Sequence, residues 1–139
     1  MLYTGYYDHT IDAKNRLSVP AAFRARMDPA IDGVAFYLAP GDRPNTLALW
    51  GDRVFEANAA QRYGGGIAVP RRMDRDHLYY AMAWRLELDK LGRVRVPEVM
   101  LRNFKIQREV TVSGAGDHIE IWNKADFRVF LEKNLPRDT

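Results

Sequence analysis

The chain has 139 residues, 47% hydrophobic and 28% charged, with no cysteine. That composition predicts one globular domain or two small halves sharing a core, and it excludes disulfides, thiolate zinc sites and a cysteine nucleophile. The formal net charge of +3 is too small to argue for nucleic-acid binding from the total alone.

The opening MLYTGYYDHT lacks the basic start and continuous apolar run of a secretion signal. No stretch approaches the ~18 apolar residues of a membrane span, so a cytoplasmic location is expected. Residues 9–20, HTIDAKNRLSVP, predict strand, tight turn, strand. Thr10-Ile11 and Leu17-Ser18-Val19 alternate in polarity, and Asn15 stands where a hairpin turn needs positive φ. Pro20 suits the first turn of a short helix, whose Phe23 and Met27 lie on one edge. Val34–Leu38 and Leu47–Trp50, separated by a loop rich in Pro, Gly, Asp and Asn, predict a second hairpin. A helix capped by Asp52 should follow, through Val54, Phe55 and Ala59. Gly64-Gly65-Gly66 then breaks the chain, and Asp74 is expected to cap a linker helix carrying Leu78 and Met82.

The sequence next repeats itself. LELDKLGRVRVP (86–97) matches the first element, with Asp89, Arg93, Val94, Val96 and Pro97 each 77 positions after Asp12, Arg16, Leu17, Val19 and Pro20. Met100 and Phe104 correspond to Phe23 and Met27. Val110–Val112 and Ile119–Trp122 form the second hairpin pair, with Gly116-Asp117 answering Gly41-Asp42 and Trp122 answering Trp50. Asn123 with Asp126 predicts a capped final helix with Phe127, Phe130 and Leu131 on one face. The organisation expected is a first repeat over 1–63, a linker helix segment over 64–85 and a second repeat over 86–139, sharing one core. The class is α+β, mainly β. A repeat that cannot bury its own apolar face buries it against its twin and presents the same surface element twice, so function is expected in that element.

Charge is unevenly spread. From Arg71 to Arg108 there are ten Lys/Arg against five Asp/Glu. Alternation sends Leu17, Val19, Val94 and Val96 to one face and leaves Arg16, Ser18, Arg93 and Arg95 on the other. A guanidinium on a rigid strand suits bidentate bonding to phosphate or to guanine O6/N7, and Lys14 and Lys90 add cations at the turns. Together the two elements could form a basic ribbon for a major groove. Asp12, Asn15, Asp89 and Gly92 read as structural turn residues, the aspartates accepting backbone N–H groups and pairing with the arginines. The tryptophans, Phe23, Met100 and Phe127 read as core, and His9 and His118 as surface or turn residues. Two repeat-related aspartates also suggest a proton-sharing dyad, but cations follow each of them and no nucleophile, phosphate-loop or metal motif appears. No enzyme, no cofactor, no metal and no small-molecule substrate is expected.

On DAKNRLSVP, DKLGRVRVP, the aromatic start, GD…LALW and GAGDHIEIW, the chain resembles the MraZ family of bacterial transcriptional regulators of the cell-division and cell-wall gene cluster. The resemblance implies an AbrB-type swapped-hairpin (double-split) β-barrel with short flanking helices and self-association into rings. It also implies a nucleoid-associated repressor that binds guanine-rich promoter direct repeats in double-stranded DNA, Arg16 being the residue carried over first. Asn15 stands where the family usually has glycine, Leu91 replaces a polar turn residue, and Tyr63 to Tyr80 match poorly. The alternative is a ring-forming interaction scaffold that binds other polyanions or proteins.

Overall fold

The computed structural model describes residues 2–62 and 70–136. In chain order the elements are β1 (Tyr6–Thr10), β2 (Arg16–Ser18), α1 (Ala21–Arg24), β3 (Ala35–Pro40), β4 (Thr46–Gly51), α2 (Asp52–Arg62), α3 (Pro70–Ala81), β5 (Trp84–Glu87), β6 (Arg93–Arg95), α4 (Glu98–Asn103), β7 (Glu109–Gly114), β8 (Ile119–Asn123) and α5 (Lys124–Asn134). The glycine break at 64–66 lies outside the described residues.

Six strands form an antiparallel sheet in the order β1-β7-β8-β4-β3-β5, and β2 and β6 form a separate antiparallel ladder. The order reads the same from either end when the repeats are exchanged. β1 of the first repeat adds to β7 of the second, β5 of the second adds to β3 of the first, and β4 and β8 meet in the middle. The mixed α+β class therefore holds. Among the described residues these ladders make an open sheet with β1 and β5 as its edges, and no closed barrel is found. The expected hairpins at Asp12 and Asp89 also need correction. The tight turns form, but the strands flanking each turn leave for different sheets, since β1 and β5 find longer partners in β7 and β3 than in their own short neighbours.

The core follows from strand alternation. Phe36, Leu38, Leu47, Leu49, Val110, Val112, Ile119 and Ile121 line one sheet face and join Leu17, Val19, Val94, Val96, Phe23 and Met100 in a single buried cluster. The opposite face meets the longer helices: Tyr37 stacks on Phe55 of α2 at 4.3 Å between ring centroids, and Trp122 packs edge-on against Phe127 of α5 at 5.2 Å. The two-stranded ladder thus has its apolar side pressed into the core by both repeats at once.

Several local expectations change. Asp74 lies inside α3, which begins at Pro70, so it is no cap. Asn123 does occupy the N-cap of α5, but its side chain accepts from Gln107 N–H (2.6 Å) and donates to Lys105 carbonyl (2.9 Å), fastening the entry to β7 instead of the helix end. The Asp52 carboxylate receives Val34 N–H (3.2 Å) and Arg85 (2.8 Å). Trp84 is 40% exposed on edge strand β5, and Trp50 is half-buried, so the tryptophans are not uniformly core. His118 is buried at the bend between β7 and β8, so of its reading as a surface or turn residue the turn holds and the surface does not.

Candidate nucleic-acid interface

Each turn is built by one aspartate. Asp12 carbonyl accepts Asn15 N–H (2.9 Å), while Asp12 Oδ1 accepts the N–H groups of Lys14 (2.9 Å) and Arg16 (2.8 Å). Its Oδ2 accepts Arg16 Nε (2.7 Å). The second turn repeats this: Asp89 Oδ1 accepts Leu91 and Arg93 N–H, both at 2.9 Å, and Oδ2 accepts Arg93 Nε at 2.8 Å. Such short charge-assisted bonds favour the ionised carboxylate. Arg16 N–H above all, with its guanidinium and Lys14 N–H, outweighs partial desolvation and holds the Asp12 carboxyl down to about 2. Arg93 N–H does the same for Asp89, which also titrates below its ordinary range. The residue closing each turn has positive φ, 63° at Asn15 and 76° at Gly92, which asparagine and glycine adopt more readily than other residues.

From these turns β2 and β6 run antiparallel, pairing Arg16 with Arg95, Leu17 with Val94 and Ser18 with Arg93. Val19 N–H donates to Gly92 carbonyl (3.0 Å) and Val96 N–H to Asn15 carbonyl (2.8 Å), so each turn is fastened to the strand end of the other repeat. With Leu17 and Val94 fully buried beneath, Arg16, Ser18, Arg93 and Arg95 fall on the outward face. Lys14 and Lys90 are exposed at the turns at opposite ends of the ladder. Arg16 and Arg93 keep 30% and 25% of their side chains exposed. Because Nε is committed to aspartate, the guanidinium plane is fixed and its Nη groups are left to serve a ligand. The structure therefore brings all six predicted side chains to one ladder and its two turns.

Sequence spacing does not disclose the clamps. Arg108 Nη1 donates to Asp12 carbonyl (2.9 Å) and Asn15 Oδ1 (2.7 Å), and Asn15 Nδ2 donates to Glu98 (2.7 Å). Arg24 Nε donates to Val19 carbonyl (3.1 Å), and its guanidinium lies where a Cβ on Gly92 would be. The Arg108 and Glu98 bonds and the packing of Arg24 over Gly92 cross between the repeats, so no local motif announces them, whereas the Arg24 bond to Val19 stays within the first repeat. The two aspartates are held ionised in separate turns, which leaves no shared-proton dyad.

The family model described as "MraZ protein, putative antitoxin-like" matches residues 80–138. Relatives matched over most of their length carry the name transcriptional regulator MraZ. The protein of Limosilactobacillus fermentum is 32% identical, the match covering 88% of this chain and 81% of that protein, and that of Herpetosiphon aurantiacus is 31% identical, covering 94% and 87%. The protein of Mesoplasma florum is 28% identical over 99% of this chain and 90% of its own length. With a paired D-x-x-x-R signature, two clamped turns and relatives matching over most of both chains, the chain belongs to the MraZ family, which is a family of transcriptional regulators and not of enzymes.

Proposed function

We propose that this regulator is cytoplasmic and nucleoid-associated, binds double-stranded DNA with sequence specificity and represses the division and cell-wall gene cluster. In this reading a ring-shaped homo-oligomer spreads its β2–β6 ladders along guanine-rich promoter direct repeats. The observation that carries it is the outward row Lys14, Arg16, Arg95, Ser18, Arg93 and Lys90, held on a ladder whose other side is core. A rigid two-stranded ribbon can enter a major groove, and an oriented guanidinium discriminates guanine through O6 and N7. Asp12, Asn15, Asp89 and Gly92 set turn geometry without touching DNA. Repeats 1–63 and 86–139, joined by 64–85, act as one unit because the ladder needs a strand from each. The reciprocal exchange of β1 and β5 is the counterpart, opened out, of the swapped hairpins of AbrB-type barrels.

One chain offers few contacts, so tight binding needs several copies on spaced repeats, where avidity gains about 10²–10⁴ over a single site. The test is a mobility-shift titration on the protein's own upstream DNA, varying repeat number and spacing, against scrambled DNA across a salt series, with mass from light scattering. Preference for a spaced array is expected. Equal binding to scrambled DNA would favour the scaffold reading, in which the same cations hold any polyanion. A monomer that binds one repeat as tightly as an array would end the multivalent mechanism.

A further inference from the structure

Away from the ladder, the β4–β8 pairing brings a second group of side chains together from both repeats. Thr46 pairs with Trp122 and Leu49 with Ile119, which sets the β3–β4 connection of the first repeat beside the Trp122 end of β8, on the second repeat. Ligand atoms of Asp42, His118 and Glu120 there lie within 4.8 Å of one another. His118 is about nine-tenths buried and stacked on Trp50, with 4.2 Å between centroids and 15° between planes. Its Nδ1 is 2.9 Å from Asp117 Oδ1, which directs Nε2 toward Glu120 Oε2 at 3.4 Å. Trp122 Nε1 donates to Glu120 Oε1 at 3.0 Å and so fixes the other carboxylate.

Two donors are thus held from behind, each with one atom left facing the same point. A carboxylate behind a histidine and a donor behind a ligating carboxylate are how metal ligands are oriented. Three acidic side chains, Asp42, Asp117 and Glu120, gather around the histidine, and the Arg43 guanidinium, which acts on Glu120, lies 5.4 Å from the Trp122 ring centroid. Donors about 2.0–2.2 Å from one ion are at most about 4.4 Å apart, so a small movement of the exposed Asp42 side chain closes the set. An imidazole among carboxylates suits zinc better than magnesium or calcium, which take oxygen donors. We propose that Asp42, His118 and Glu120 form a divalent transition-metal site, with zinc its representative ion, that ties the first repeat's β3–β4 connection to β8 of the second. This site stands apart from the DNA reading and does not depend on it.

Calorimetric titration of zinc chloride into the full chain, with thermal melts alongside, tests it. One saturable ion per chain and a raised Tm are expected, both absent in His118→Gln and weakened in Asp42→Asn. Asp117→Asn, which removes only the orienting carboxylate, lowers affinity by about 10–100-fold. His77→Gln, on the exposed side of α3, leaves binding unchanged. Asp42 is exposed, so its variant keeps the test decisive should His118→Gln fail to fold. No zinc uptake by the wild type would overturn the site and show that His118 and Glu120 are complete with a shared proton. Equal uptake by a folded Asp42→Asn or His118→Gln would overturn it as well.

Discussion

The two turns are the same device with different tips. Around Asp12 and around Asp89 the carboxylate takes the same two backbone N–H groups and the same arginine Nε, at nearly equal distances. Yet the tip is Lys14 in one and Leu91, 68% exposed, in the other. The positive-φ position is Asn15, tied to Glu98 and Arg108, in one, and Gly92, covered by Arg24, in the other. Backbone shape and surface chemistry are therefore separate variables. The Asp–Arg staple sets the first, and the tip is free to change the second.

The comparison breaks most severely beneath the turns. Leu17 and Val94 are cross-strand partners with no exposed surface, so Leu17→Ala should cost about 2–5 kcal/mol. Urea unfolding should stay a single transition, because the ladder belongs to both repeats; two separated transitions would mean that the halves are independent. Next in size, Arg16→Ala should lose about 1–3 kcal/mol of base discrimination without loss of fold, read as relative affinity for guanine-substituted sites. Arg93→Ala beside it shows whether the second turn reads DNA at all. Unchanged base preference in a folded, equally assembled Arg16→Ala protein would remove Arg16 from the interface.

Gly92→Ala should destabilise by about 1–2 kcal/mol, since alanine resists φ near 76° and its Cβ meets Arg24. Asn15→Gly should cost less than about 1 kcal/mol, because glycine accepts the conformation and only the Glu98 and Arg108 contacts are lost. A reversed order in thermal melts would show that the asparagine clamp outweighs backbone strain.

Acid separates the staples from the rest of the fold more gently. A carboxylate depressed in the folded state stabilises fully above its ordinary value of 3.8 and loses that contribution as pH falls toward about 2, for Asp12. Asp12→Asn should therefore flatten this part of the stability profile between about pH 4 and pH 2, and an unaltered acid profile would show that the turn's ionic bonds contribute nothing. Smallest of all, Lys14→Ala should reduce the salt slope of DNA binding by about 0.9, and Leu91→Lys should raise it by about as much if the second tip reaches a phosphate. A slope unmoved by Leu91→Lys would place that tip off the DNA.

What the sequence discloses here is local. Positive φ at Asn15 and Gly92, helix entry at Pro20 and Pro97, and burial of Leu17, Val19, Val94 and Val96 follow from period and backbone preference within a few residues. Partner choice is not local. β1 with β7 and β2 with β6 are pairings across most of the chain, and nearest-neighbour hairpins were the natural expectation at the Asp12 and Asp89 turns. For the same reason Arg108, bound to the Asp12 turn, and Arg24, packed over Gly92, leave no motif, and Asp42 comes near His118 and Glu120 only because β4 and β8 pair.

The exchange of β1 and β5 also bears on how the protein is made. A nascent chain carries β1 without its partner until Glu109–Gly114 has been synthesised, and β2 waits likewise for Arg93–Arg95. A product stopped after the first repeat would expose a bare β3 edge and an unpaired β2, which invites proteolysis and aggregation. A chain that ends before β5 therefore leaves β1, β2 and the outer edge of β3 all without their partners at once.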